Sequence, residues 1–160
     1  MELISTHVCK ASNIGVHQNM FGGHMMSLID ESAAVYAAQL CDTPRMVTVK
    51  VTELIFKRPV RVNNIIKIYG RVERFGNTSI TMYIEARKHN VYTGMQETVT
   101  HTTITFVRID DEGNALAISN RVKRRYAERM HRFGKGLLSQ EERKHEDNSN
   151  NTDTNMNHAK

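Results

Sequence analysis

The sequence predicts an α+β fold in which an antiparallel sheet wraps around one long helix, with an additional helix near the C-terminus. A largely apolar, proline-free segment from about Gly23 to Leu40 is long enough for the central helix. Segments rich in β-branched residues follow it, and short turns between them favour antiparallel neighbours. Helical spacing of apolar residues returns only after Ser119 or Asn120, either of which could cap the final helix. This order of elements is typical of an α+β domain.

The strands are placed by the turns between them. A short first strand is predicted over Ile4 to Lys10, followed by a loop and the long helix. The later predicted strands are Met46 to Phe56, Ile65 to Phe75, Thr78 to Lys88 and Gln96 to Ile109. Alternation slips near Glu53, which indicates a bulge, whereas regular alternation from Ile80 to Ala86 indicates one buried face. A sheet curled around one helix leaves open edges, which favours pairing with a second copy.

Positive charge is concentrated in one C-terminal segment. The whole chain carries +5, and the segment from Arg121 to Lys135 alone holds seven basic residues against one acidic residue, Glu128. Apolar residues recur there at helical spacing from Val122 to Leu137, so we predict a helix with a basic surface. A solvated helix face explains this charge more simply than a polyanion site, and nucleic acid is not expected as a partner.

Length and composition predict one cytoplasmic domain. The chain has 160 residues, and we expect the domain to cover residues 1–137, including the basic helix. Residues 138–160 are charged and rich in asparagine, which predicts a disordered tail. Cys9 and Cys41 show no CxxC spacing, as is usual in a reducing compartment. No apolar run reaches the roughly 18 residues of a membrane span, and the eight histidines lack HxxxH or HExxH spacing, so neither membrane nor metal binding is predicted.

An acidic residue lies on the predicted apolar side of the long helix. On a helical wheel Asp30 is flanked by Met26, Ala33, Ala34 and Ala37. Burying an ionised carboxylate is costly unless it is hydrogen-bonded or its pKa rises. Asp30 is therefore either a catalytic group or a structural acid that caps a neighbouring backbone.

A glycine pair, Gly22-Gly23, opens the same helix. Glycine allows the backbone to approach a ligand closely, and the N–H groups at a helix N-terminus can stabilise an oxyanion. Taken alone, the pair is more simply a tight turn. His17 and His24 flank it and are interpreted as ordinary loop histidines.

Five motifs, in this order and spacing, resemble the signature of the hotdog-fold acyl-CoA thioesterases. They are Phe21-Gly22-Gly23, Ile29-Asp30, Phe56-Lys57-Arg58-Pro59-Val60, Gly76-Asn77-Thr78-Ser79, and Phe106-Val107 before Asp110 to Gly113. The likeness is to the bacterial YciA-like and animal cytosolic acyl-CoA hydrolase branch and covers roughly Thr6 to Ile118. Each motif alone is weak, but the ordered set is specific, and it implies a hotdog fold.

The resemblance implies hydrolysis of acyl-CoA to a free acid and CoA, within fatty acid metabolism, without metal or other cofactor. It implies that Asp30 is the general base or the nucleophile and that it faces Asn19 across a dimer interface. Gln18 stands where the family commonly has a glycine. The implied assembly is a homo-oligomer, at least a dimer, with a hexamer built as a trimer of dimers as the larger option.

The remaining site residues fall into two sets. Helix N-terminal amides at Gly22 and Gly23 would hold the oxyanion. By resemblance, the CoA part of the substrate is held by Lys57, Arg58, Gly76, Thr78 and Ser79, since charge-assisted hydrogen bonds suit phosphates.

Two other functions stay open from sequence alone. The main alternative is a non-catalytic hotdog protein that binds acyl-CoA and whose basic helix contacts nucleic acid or a protein partner. A dehydratase on the same fold is a third reading, but the early segment has no paired His and Glu for that chemistry.

Overall fold

The computed structural model describes residues 1–131. The chain divides into two compact units, of which the first is Met1–Ser119. That unit contains strands β1 (Glu2–Val8), β2 (Met46–Val51), β3 (Ile65–Phe75), β4 (Ser79–His89) and β5 (Gln96–Arg108), with helix α1 over Gly22–Cys41. The strands form one antiparallel sheet in the order β1-β3-β4-β5-β2. The predicted α+β class is confirmed.

Strand β2 departs most from the predictions. It ends at Val51 rather than Phe56, and its register shift lies between Thr48 and Lys50 rather than near Glu53. It pairs with β5, so the expectation that it neighbours β3, the next strand in the chain, is wrong. The connection between β2 and β3 contains Pro59. It is long enough to run from the β2 edge of the sheet to β3, which lies beyond β5 and β4. Predicted and observed bounds of β3, β4 and β5 agree to within a residue, whereas β1 lies slightly earlier than predicted.

The core lies between the inner face of the sheet and one side of α1. The predicted alternation on β4 is confirmed, because Ile80, Met82, Ile84 and Ala86 are all fully buried. The opposite side of α1 is open in the single chain: Met26 is 44% exposed and Val35 is 58% exposed. In one copy, the five strands cover one side of the helix and leave the other side exposed.

Long polar side chains cover the outer face of the sheet. The guanidinium of Arg87 lies 4.6 Å from the centre of the Tyr69 ring, and it also contacts Glu85 with Nε–Oε1 at 2.7 Å. Thr98 donates a second hydrogen bond to Glu85 at 2.6 Å. Burial acts to raise the pKa of Glu85, but these two hydrogen bonds and the electrostatic attraction of Arg87 and His101 together hold the pKa below its ordinary value. This face is thus a set of mutually satisfied polar groups.

The second unit begins at Asn120. Its described part is a helix, α2, over residues 120–131, which agrees with the predicted start of the basic helix. The predicted extension of that helix to Leu137 and the predicted disordered tail over 138–160 lie outside the described residues. The domain boundary at residue 137 stays a prediction. Among residues 1–131, no helix is both long enough and apolar enough to cross a membrane.

Candidate active site

A cleft opens at the N-terminal end of α1. Its volume is about 480 Å³, and it is lined by Asn19, Met20, Gly22, Met25, Phe56, Lys57, Arg58, Pro59, Val60 and Val99. Four residues singled out from the sequence, Asn19, Gly22, Lys57 and Arg58, meet here. Two segments far apart in the chain, before α1 and after β2, therefore build one site.

Backbone hydrogen bonds hold the two segments together. The N–H of Met20 donates to the carbonyl of Val60 at 2.7 Å, and the N–H of Lys57 donates to the carbonyl of Val99 at 2.8 Å. The residues from Phe56 to Val60 are thus fixed between β5 and the loop before α1. Lys57 and Arg58 are positioned at the cleft by the backbone, independently of their own side-chain contacts.

A bulge in β5 brings Val99 into the cleft. Thr100 pairs with Ala86 and Thr98 pairs with Arg87, so Val99 is an extra residue without a partner on β4. A bulge of this kind re-aims a side chain next to a site. Here it directs both Val99 and Thr100 inward, and both are buried.

The glycine pair has a steric reason at each position. A Cβ on Gly22 would lie 3.3 Å from Cζ of Phe56, and a Cβ on Gly23 would overlap the ring of Phe21. Phe21 precedes the first turn of α1 and provides no side-chain cap. Because the first N–H groups of a helix have no partner inside it, the Gly22 and Gly23 amides remain available as donors.

Asn19 lines the cleft and has one buried side-chain atom without a hydrogen-bond partner among the described residues. That atom is the side-chain oxygen. Leaving a buried amide oxygen unpaired is unfavourable, so such a group calls for an explanation. A polar ligand group or a water molecule in the cleft would supply the missing donor.

Asp30 lies outside the cleft. Its Oδ1 accepts a hydrogen bond from Oγ1 of Thr48 at 2.8 Å, and it follows Gly22 by roughly 12 Å along the helix axis. The predicted burial of Asp30 is wrong: the side chain is half-buried, because it lies at the border between the covered and open sides of α1. Ala33 and Ala37 are buried as expected, whereas Met26 is exposed.

Gly76, Thr78 and Ser79 lie at the turn between β3 and β4, far from the cleft. The carbonyl of Thr78 accepts from the N–H of Arg108 at 2.8 Å, and Ser79 pairs with Val107. Val107 is about 27 Å along β5 from Val99. One copy therefore presents two separate groups: the cleft group (Asn19, Gly22, Lys57 and Arg58) and the distal group (Asp30 with the turn from Gly76 to Ser79).

Metal ligands are not assembled in the part of the chain that the structure describes, and a Ser-His cluster lies outside the cleft, where Nε2 of His7 is 3.0 Å from Oγ of Ser5. Residues 1–131 contain no cluster of three or more His, Cys, Asp or Glu side chains suited to a metal ion. Cys9 is buried, and burial raises the pKa of its thiol. A thiol in that environment is a poor nucleophile.

Comparison with known proteins identifies the family. The Thioesterase superfamily model matches residues 17–95. The acyl-CoA thioester hydrolase YciA of Salmonella typhimurium is 30% identical over 115 residues, which cover 70% of this chain and 86% of that protein. The chain belongs to the acyl-CoA thioester hydrolases.

Solved structures of similar thioesterases agree with this assignment. A hexameric hotdog-fold thioesterase of Campylobacter jejuni has a TM-score of 0.68 and 32% identity, over 78% of this chain and 95% of that one. A hexameric thioesterase of Yersinia pestis has a TM-score of 0.69 and 28% identity, over 74% of this chain and 96% of that one. The expected hotdog fold is confirmed.

Sequence reasoning missed several residues of the cleft and one contact of Asp30. Met20, Met25 and Val99 line the cleft, and Thr48 contacts Asp30. The signal for Met25 was available, because it precedes Ile29 by one turn on the apolar side of the helix. The bulge that places Val99 leaves no mark in the alternation, and the partner of Asp30 depends on β2 lying against α1.

Proposed function

We propose that this hydrolase cleaves acyl-CoA to a free acid and CoA at a site assembled from two copies of the chain. The observation that carries the proposal is the cleft, where Gly22 at the start of α1, Asn19 and two cations converge. Thioester hydrolysis needs an oxyanion site and a positioned base. The cleft offers the first, and Asp30 offers the second.

The chemistry follows from these groups. A water molecule attacks the thioester carbonyl carbon while Asp30 takes its proton, and the carbonyl oxygen becomes an oxyanion. Amides of Gly22 and Gly23, together with the side-chain NH2 group of Asn19, donate the hydrogen bonds that stabilise that charge. The carbon–sulfur bond then breaks, and CoA leaves as a thiolate that regains a proton. Direct attack by Asp30 to give an anhydride is the other route open to the same residue.

Thr48 favours the role of Asp30 as a base. Its hydroxyl donates to Oδ1, so it fixes one carboxylate oxygen and leaves Oδ2 to accept a proton. We propose that Thr48 orients Asp30 in this way.

Two features support a site completed by a second copy. Asp30 lies too far along α1 to reach the cleft of its own chain, and the side of the helix next to it is open to solvent. Strand β2 is at the sheet edge, where Val47 and Val49 are exposed, and such an edge favours pairing. The Campylobacter jejuni and Yersinia pestis neighbours are hexameric, so we propose a hexamer built as a trimer of dimers.

The CoA part of the substrate is assigned to residues from both groups. Lys57 and Arg58 of the cleft group and Gly76, Thr78 and Ser79 of the distal group would lie along one CoA if two copies pair. The proposed reaction needs no metal or other cofactor. We place it in the cytoplasm, within fatty acid metabolism, and the buried thiols Cys9 and Cys41 are consistent with a reducing compartment.

A panel of CoA esters, with the released thiol as the readout, tests the proposed function. We expect the full-length wild-type chain to release CoA from at least one acyl ester faster than the buffer alone. Tight binding of several esters without thiol release would overturn hydrolysis and favour the non-catalytic binding protein.

Replacing Lys57 or Arg58 with alanine should raise KM by roughly tenfold, with a smaller fall in kcat. Phosphate contacts remote from the thioester stabilise the bound substrate and the transition state alike, and a charged hydrogen bond has about this strength. Steady-state kinetics with one good ester would measure both constants. Lys67→Ala, on β3 and outside the cleft, is the matched control. Equal losses in kcat and kcat/KM would place the two residues at the reacting atoms instead.

A further inference from the structure

We infer that the apolar floor of the cleft holds the acyl chain and that Met25 is the end stop that limits its length. This inference rests on the proposed hydrolase function. The cleft has two chemically different parts. Its polar side chains are Asn19, Lys57 and Arg58, and its other side chains are apolar.

The floor of the cleft is continuous with the hydrophobic core. Met25, Val60 and Val99 all line the cleft, yet they are only 2%, 3% and 1% exposed. They come from α1, the connection after β2, and β5, so three separate elements close the bottom. A ligand entering from the side of Lys57 and Arg58 would meet these side chains last.

The chemistry of the substrate selects which part reaches this floor. The pantetheine arm of CoA carries two amide groups, which would be costly to bury without hydrogen-bond partners. None of the three floor residues has a polar side chain. An alkyl chain needs no such partner and gains free energy from each methylene that leaves water. The floor therefore suits the acyl group, while the thioester lies near Asn19 and the helix amides.

The size of the cleft indicates the class of acyl group. A volume of about 480 Å³ lies in the lower half of the roughly 300–1,000 Å³ typical of small-molecule sites. With its floor closed by Met25, the cleft fits short- to medium-chain acyl groups. Met25 is the longest of the three floor side chains and comes from α1, and its unbranched side chain fills that space adaptably.

The test is a chain-length profile of kcat/KM for straight-chain acyl-CoA esters, measured with the full-length protein. Met25→Ala removes three heavy atoms from the floor, so the best substrate should become longer by about two to four carbons. Each further methylene accommodated should raise relative kcat/KM by about fourfold. Val99→Ala is a smaller truncation from the sheet side and should shift the profile in the same direction by about one to two carbons.

Two controls separate the floor from general effects. Met26→Ala is the same substitution at the next position of the helix, outside the cleft, and should leave the shape of the profile unchanged. Met25→Leu keeps a side chain of similar volume and should retain the wild-type profile. If thermal unfolding shows that Met25→Ala does not fold, the chain-length profile of Val99→Ala tests the proposal instead.

The outcomes distinguish the two proposals. A profile displaced toward longer chains in the truncated variants supports the proposal that the floor holds the acyl chain. A fall in kcat/KM by one common factor at every chain length overturns it and leaves the hydrolase function standing. Absence of thiol release by the wild-type chain from every ester overturns the hydrolase function itself.

Discussion

Asp30→Asn is expected to lower kcat by about 10² to 10⁴, the usual contribution of a positioned base. Asparagine keeps the shape of the side chain and can still accept the hydrogen bond from Thr48, but it can neither take a proton from water nor attack the thioester. CoA binding should survive, because Asp30 is assigned to the thioester, whereas Lys57 and Arg58 are assigned to the phosphates of CoA. The measurement is steady-state turnover of the best ester in the panel, together with CoA affinity and thermal unfolding.

Glu31→Gln is the matched control for Asp30→Asn. Glu31 is the adjacent acid on α1 and is exposed, so its neutralisation should leave kcat unchanged. If Asp30→Asn turns over at the wild-type rate but unfolds at a different temperature, Asp30 is a structural acid. The catalytic role of α1 would then be wrong.

Mixing two inactive variants should restore activity. Asn19→Ala is expected to lower kcat by about 10² to 10³, as for loss of an oxyanion donor. If each site takes Asn19 from one copy and Asp30 from its partner, a dimer of Asn19→Ala with Asp30→Asn contains one intact site. Random pairing of equal amounts in a two-fold dimer should then recover about a quarter of the wild-type rate.

Co-expression with two different affinity tags would isolate the mixed oligomers, and a purified mixed dimer should recover about half of the wild-type rate, because one of its two sites is intact. The control is the double variant Asn19→Ala/Asp30→Asn. It should stay inactive when it is co-expressed with either single variant, because neither pairing contains an intact site. Mixed oligomers that form but recover no activity would place Asn19 and Asp30 of one copy in the same site. An active monomer in analytical ultracentrifugation would contradict the two-copy site by itself.

Local patterns were sufficient to predict most of the fold. Alternation on β4 indicates a strand with one buried face, and the apolar residues of α1 indicate a helix that contacts the sheet. Both elements were therefore predicted well. The pairing of β2 was not predicted, because it depends on where the connection around Pro59 carries the chain. Such long-range placement has no signature in the spacing of neighbouring residues.

For the same reason, only part of the candidate site was predicted. Motifs identified Gly22, Lys57 and Asp30, but a helical wheel could not place Asp30 correctly. The wheel assumes that the most apolar sector is buried, whereas in one copy the sheet reaches only part of that sector. Likewise, the sequence gives no distance between the cleft and the turn at Gly76, because that distance is set by the length of β5 between them.

The bulge at Val99 also restricts how β5 can change length. Side chains on a strand alternate between faces, so inserting or deleting a single residue exchanges inner and outer side chains from that point onward. Deleting Val99 would make the pairing with β4 regular, but the same deletion would remove the carbonyl that anchors Lys57. Length variation in related chains should therefore be found in the hairpin from Asn90 to Met95 rather than within the strand.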